Sequence, residues 1–281
     1  MGSFKKAERS QSKLRLCMSG PSGSGKSYSS LLIARGLGGT IGAIDTERGS
    51  LTKYSGVADF DVMELDEYSA KSFSKAIELA NTYNVLIVDS FTHLWHWALD
   101  YNEKIAQAKF KGNSWSAWSE TTPIVTGVYD MLLRFPGHVI VTLRSKTEWA
   151  VESGRPVRVG LAPEARKGSE FEFDMVLQLD TNHIATVTKD RTGEFQDQLI
   201  DHPGEVFGGQ LLSWLNEGEP VTEQKNHYLL QLQELIVAHE IDLDVQQKWL
   251  SHFGVDSIFE FTPEQSDSIC NKISVKYKKG T

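Results

Sequence analysis

Residues Gly20, Pro21, Ser22, Gly23, Ser24, Gly25, Lys26 and Ser27 run consecutively and form the pattern G-x-x-x-x-G-K-S. That spacing makes a phosphate-binding loop. Its glycines let successive backbone N–H groups turn inward on a β-phosphate. The Lys26 ammonium can then reach β- and γ-oxygens, and the Ser27 hydroxyl suits Mg²⁺. Tyr28 follows directly and completes the candidate nucleotide-binding set, Gly20 to Tyr28. The flanks agree with this reading. Leu14 to Met18 has the composition of a buried strand entering the loop, and Tyr28 to Arg35 that of a helix whose N-terminus holds an anion. The pattern implies ATP as ligand, with Mg²⁺.

The elements that must position this loop follow from apolar patterning. Thr40–Asp45 reads as a second strand after Gly36, Gly38 and Gly39 end the first helix. Phe60–Leu65 alternates as a strand, and Ala70–Asn81 carries apolar residues at helical spacing. Val85–Asp89 is a continuous apolar run ending in an acid, as in a parallel strand covered on both faces. Helices are expected at about Phe91–Phe110 and Trp115–Arg134, and a further buried strand at His138–Leu143. Met175–Leu179 and Ile184–Thr188 flank Asp180–His183 as a hairpin. The whole predicts an α/β fold, a mostly parallel sheet with a terminal antiparallel hairpin. Residues 1–12 read as a flexible arm, 13–217 as the core and 224–277 as a small helical module with a basic tail, Lys276 to Lys279.

Asp89, at the end of its strand, suits the acid that holds Mg²⁺ opposite Ser27, or else a cap on the next helix. Glu47 follows the second strand in Ile44-Asp45-Thr46-Glu47, where a carboxylate can face the γ-phosphate as a general base or stand solvated in a turn. With Leu86-Ile87-Val88-Asp89-Ser90, this Asp-x-Glu segment resembles the RecA-type ATPases, including archaeal RadA. The resemblance implies that Glu47 polarises the attacking water. Thr188-Lys189-Asp190-Arg191-Thr192-Gly193 is similar to the Lys-x-Arg-x-Gly segment of replicative hexameric helicases. By that likeness Lys189 and Arg191 reach the γ-phosphate of ATP on an adjacent subunit, which implies self-association as a ring or filament. Alone, the pair reads as surface cations bounding a turn. Residues 13–216, with the segments 140–148 and 161–174, most resemble RecA-like ATPases encoded by temperate phages, including Sak-type single-strand annealing ATPases. RecA carries a glutamine at the end of its fourth core strand, where this chain has Leu143-Arg144.

Between that strand and the hairpin lie Arg144, Lys146, Arg155, Arg158, Arg166 and Lys167, with Trp149 among them. In RecA-like folds the loop at this place meets single-stranded DNA, and cations interleaved with an aromatic can hold a strand without reading its sequence. Glu148, Glu152, Glu164, Glu170 and Glu172 dilute the patch, so a solvated loop is the alternative. Trp115 and Trp118, at i and i+3, are expected to seat a helix on the core, the alternative being base stacking.

Over 281 residues the net charge is −8, so any nucleic-acid contact must be local. No apolar run approaches the ~18 residues of a membrane span, and the polar start does not read as a secretory signal. Cys17 and Cys270 read as reduced core residues, which with the resemblance points to the cytoplasm of a bacterial host. Partners implied are single-stranded DNA, further copies of the chain, and a phage annealing or single-strand-binding protein. The expected function is a Mg²⁺-dependent ATPase acting on single-stranded DNA in phage-type recombination or strand annealing. Rival readings are a nucleotide switch that binds a protein, and a small-molecule P-loop kinase with residues 144–168 as its lid.

Overall fold

The computed structural model describes residues 6, 9–152, 155–218, 224–239, 241–255, 257–258 and 261–277, with the side chains of 147–160 and of some C-terminal positions outside that description. Among the described residues the strands are β1 (Arg15–Gly20), β2 (Ile41–Asp45), β3 (Asp61–Glu64), β4 (Val85–Asp89), β5 (His138–Glu152), β6 (Arg155–Pro163), β7 (Met175–Leu179), β8 (Ile184–Asp190) and β9 (Leu199–Asp201). Among the described residues the α-helices are α1 (Lys26–Leu37), α2 (Ala70–Leu79), α3 (Thr92–Lys109), α4 (Ser114–Leu133), α5 (Glu205–Leu215), α6 (Gln224–Ala238), α7 (Leu243–Phe253) and α8 (Pro263–Tyr277). The sheet order is β3-β2-β4-β5-β1-β7-β8-β9, with β6 paired to β5 off this path. Along this order the strands from β3 to β7 run parallel, β8 pairs antiparallel with β7, and β9 pairs antiparallel with β8. The fold is α/β with a mostly parallel sheet. Among the described residues no helix is long and apolar enough to cross a membrane.

Strand periodicity of two divides the apolar runs between two cores. Leu16, Met18, Val85, Ile87 and Ile140 face α1 and α5, with Leu31, Ile33, Phe207 and Leu211. Cys17, Leu86, Val88, Val139 and Val141 face α2, α3 and α4, with Phe73, Leu94, Val128 and Leu132. Each such side chain buried from water contributes roughly 1.5–3 kcal/mol. The α1–α5 contact is closed by glycines. A Cβ on Gly208 would stand 2.3 Å from the Ile33 carbonyl oxygen, and one on Gly36 would stand 2.2 Å from that of Glu205. Chain contacts divide into two units, Ser12–Glu217 and, with Met1–Gln11, Gly218–Thr281. Within the second, Leu232, Ile241, Phe261, Ile269, Cys270 and Ile273 make a separate core. Of the expected arm, residues 1–5, 7 and 8 lie outside the described residues, as do Lys278 and Lys279 of the basic tail.

Two expectations need correction. Residues 144–168, read as a loop, are largely an antiparallel arm: β5 continues past Leu143 to Glu152 and β6 returns from Arg155, with Ser145 opposite Pro163 and Glu152 opposite Arg155. Alternation of Thr147, Trp149 and Val151 with Lys146, Glu148 and Ala150 is a strand pattern that the charges obscured. Lys189 belongs to β8, not to the turn after it, and β9 closes the sheet beyond the hairpin.

Two basic groups tie β1 and β5 to the C-terminal end of α4. Arg15, buried with its charge, donates to the carbonyls of Leu133 (2.9 Å), Gly137 (2.7 Å) and Leu14 (2.9 Å), and also to that of Phe135. Burial lowers its pKa to about 10. His138 accepts the Leu14 N–H at Nδ1, 3.0 Å away. Burial, with Lys13 and Arg15 adding to it, lowers the His138 pKa to about 4. The fold therefore binds fewer protons than the unfolded chain between about pH 6.5 and 4. Its His138 contribution is complete above that window and is lost as pH falls through it, on the order of 3 kcal/mol in all. Denaturant melts of the wild type should lose stability across this range, and His138→Asn, which keeps an acceptor for Leu14, should lose clearly less. Equal slopes would assign the acid sensitivity elsewhere.

Candidate active site

The parallel pairing of β1 with its neighbours gathers one edge of the sheet. Gly20 ends β1 opposite Arg144 of β5, and Asp45 and Asp89 end β2 and β4 in register with each other. Between β1 and α1 the loop from Pro21 to Gly25 turns through Gly23 (φ 80°) and Gly25 (φ 87°), left-handed conformations that cost other L-residues roughly 1–2 kcal/mol. Gly25 precedes α1 and no side chain caps the helix, so its first-turn N–H groups remain for an anion. Ser22 is exposed, Ser27 is half-buried, and Tyr28 is exposed with its ring edge-on to Tyr54. The Ser24 hydroxyl is buried without a hydrogen-bond partner.

Lys26 folds back over its own loop. Its Nζ donates to the carbonyls of Gly20 (2.9 Å) and Pro21 (2.8 Å). Burial lowers its pKa, while Asp89 and Glu47 act against that shift. Asp89 is 2 % exposed. One of its oxygens, Oδ1, accepts the Thr142 hydroxyl, and Oδ2 has no hydrogen bond. Burial raises the Asp89 pKa, opposed by the nearby Ser27 and Thr142 hydroxyls. An orphaned carboxylate oxygen beside a serine hydroxyl is a donor set of the hard oxygen type that Mg²⁺ prefers.

Asp45 holds the loop that carries Glu47. Its Oδ1 accepts the Glu47 N–H (2.6 Å) and its Oδ2 the Leu51 N–H (2.9 Å). Thr46 accepts the Ser90 N–H at 2.8 Å and lies 2.6 Å from His93 Nδ1, whose ring stacks on Tyr68. Glu47 itself is gripped by Arg144: Nε donates to Oε1 (3.0 Å) and Nη2 to Oε2 (2.6 Å). The Arg144 backbone N–H donates to Thr92 Oγ1 at 2.9 Å, at the first residue of α3. Arg144, grouped by sequence with the nucleic-acid cations, thus stands at the nucleotide edge, because β5 continues through it. Asp45, Thr142 and the Arg144–Glu47 pair were not assigned from sequence. The polar Thr142 within an apolar strand was the available signal.

The remaining candidates lie elsewhere. Lys189 is opposite Val176 and Asp190 opposite Met175, whereas the P-loop is level with the other end of β7, where Ser19 meets Gln178. Lys189 and Arg191 are therefore three to five strand positions from their own P-loop, on the order of 10–17 Å along the sheet. Lys189 donates to the Phe171 and Phe173 carbonyls, and Arg191 pairs with Asp174 at 3.0 Å. Lys146, Arg166 and Lys167 are exposed. Trp149, Arg155 and Arg158 lie on the β5–β6 arm, Trp149 opposite Arg158, with their side chains outside the described residues.

A half-satisfied buried carboxylate opposes folding. Asp89→Asn keeps an acceptor for Thr142 and removes the charge, so it should raise the melting temperature of nucleotide-free protein, by about 1 kcal/mol in stability, while lowering ATP turnover. Calorimetry beside a phosphate-release assay reads both, and a lowered melting temperature would show the carboxylate already compensated.

The sequence profile described as AAA domain matches residues 12–200. No curated protein matches the chain at a significant level. Among solved structures, the RadB recombinase is 17% identical with a TM-score of 0.39, over 68% of this chain and 89% of that one. A prototypical ATPase from the type III secretion system of pathogenic bacteria is 15% identical with a TM-score of 0.36, over 92% of this chain and 79% of that one. Both are too remote to speak to substrate or partner. With a profile match over most of the chain and a complete P-loop edge, the chain belongs to the AAA domain family and is a P-loop ATPase.

Proposed function

We propose that this ATPase is Mg²⁺-dependent, assembles through its nucleotide sites, and couples turnover to single-stranded DNA in phage-type recombination or strand annealing. The observation that carries the reading is β5. One strand runs from Arg144, which holds Glu47, into an arm bearing Lys146, Trp149, Arg155 and Arg158. A strand contact on that arm is thereby linked to the catalytic edge through continuous backbone. The resemblance to phage RecA-like ATPases adds the biological setting.

In this reading Lys26 leaves the loop carbonyls for the β- and γ-phosphates. Ser27 and Asp89 Oδ2 would hold Mg²⁺, which when bound neutralises charge on the phosphates. Glu47 accepts the proton of the attacking water once Arg144 transfers from its carboxylate to the more highly charged γ-phosphate. Lys189 and Arg191, at the other edge of the sheet, serve the site of an adjacent copy.

Adding single-stranded DNA at low salt should raise ATP turnover several-fold. Arg155→Ala with Arg158→Ala should weaken strand binding equally for all sequences, lowering the slope of log K against log salt by ~0.7 per lost contact. Neither binding nor stimulation would move the assignment to a nucleotide switch acting on a protein.

Trans action has its own signature. Specific activity should climb with protein concentration, and Lys189→Ala with Arg191→Ala should bind ATP yet lose ~10³–10⁵ in rate, the usual worth of a trans cation. Mixing that variant with Glu47→Gln subunits should restore part of the activity, since some interfaces then pair an intact Glu47 with intact cations. Absence of rescue in mixtures shown to co-assemble would place the pair in cis or outside catalysis.

A further inference from the structure

Trp115 and Trp118 of α4 were expected to seat that helix on the core. Trp118 meets that expectation in part: half-buried, it stacks on Trp95 of α3 with centroids 5.4 Å apart and planes 16° from parallel. Trp115, one turn earlier on α4, does not, being 86 % exposed. Helical spacing placed the two on one side of α4, but in the first turn it is Ala117 that is buried and the Ser114 carbonyl that meets Asn102 of α3, while the Trp115 ring stays outside.

These three rings, with Ser119, Thr122, Pro123 and Arg166, line a cleft of about 540 Å³. Arg166 is the one charged group among the lining residues. Neighbouring acids are engaged elsewhere, Glu120 with Lys109 at 2.6 Å and Glu164 with His96 at 3.3 Å. Lys167 follows Arg166 and is exposed. On a chain of net charge −8 this is a local exception: flat aromatic faces in a cleft whose charged lining is a single cation. An unpaired nucleobase with its phosphate has this chemistry, since the base stacks on indole whatever its identity and the phosphate takes the guanidinium.

We propose that the Trp95–Trp115–Trp118 cleft is a stacking site for a base of single-stranded nucleic acid, with Arg166 on the adjoining phosphate. This rests on the single-strand reading above and adds to it a site separate from the β5–β6 arm. Trp95 stands one turn into α3, whose first residue, Thr92, accepts the Arg144 N–H. A base seated here thus lies against the helix that begins at the catalytic edge.

The test compares oligo(dT) with an abasic oligomer of equal length and phosphate number, read by intrinsic tryptophan fluorescence and equilibrium binding. Oligo(dT) should quench the fluorescence and bind more tightly than the abasic strand. Trp115→Ala should weaken oligo(dT) about 5- to 150-fold, the range of one lost base stack, with an unchanged salt slope and unchanged turnover in the absence of DNA. Trp115→Phe should recover part of the loss, and Arg166→Ala should instead reduce the salt slope by ~0.7. If the wild type binds oligo(dT) but Trp115→Ala binds it equally, or if the abasic strand binds as well, the cleft is not a base site and the strand reading stands. If the wild type binds no strand at all, the strand reading falls and the cleft assignment falls with it.

Discussion

Parallel pairing of β1 with both β5 and β7 is the constraint from which the rest of the molecule follows. It fixes Gly20 level with Arg144 on one side and brings the end of β7 against the loop on the other. The same direction, carried through β4 and β2, sets Asp89 and Asp45 on that edge, so residues spread from Gly20 to Arg144 converge. Antiparallel β8 must then carry its last residues to the far edge. One choice of strand direction thus assembles the phosphate site and removes Lys189 and Arg191 from it.

Buried charge in the core is handled in two ways, and the difference separates scaffold from chemistry. Arg15 spends four of its five donors on backbone carbonyls, one from the last residue of α4, two from the turn after it and one from Leu14. Asp89 is left with one oxygen satisfied and the other bare. A protein selected for stability alone would fill or remove that oxygen. Lys26 lies between these cases, its ammonium bonded to two carbonyls of the loop it would leave for phosphate.

Legibility followed the range of the interaction. The P-loop demands particular residues at consecutive positions, and Val85–Asp89 declares its burial and its acid within five, so both could be read locally. The grip of Arg144 on Glu47 spans 97 residues. Neither partner's neighbourhood hints at it, and Arg144 was sorted with the charges following it in sequence. The arm is hard to read for a related reason: its charged residues resemble a solvated loop, although their alternation with Thr147, Trp149 and Val151 is that of a strand. For Trp115, helical spacing states which residues share a side but not which of them the core covers.

From His138 to Glu152, β5 contains neither glycine nor proline. Fifteen residues of extended chain span about 50 Å, held first between β1 and β4 and then by β6, with one register shift at Glu148/Trp149. Mechanically this is a rod clamped at one end, with Arg144 where the clamp begins. Tension along such a rod is delivered to the clamp, where a slack tether would dissipate it. The arm and the strand position that holds Glu47 are therefore one continuous backbone, steadied on the way by Gln178 of β7 on the Leu161 carbonyl, and a load on the tip would travel along it.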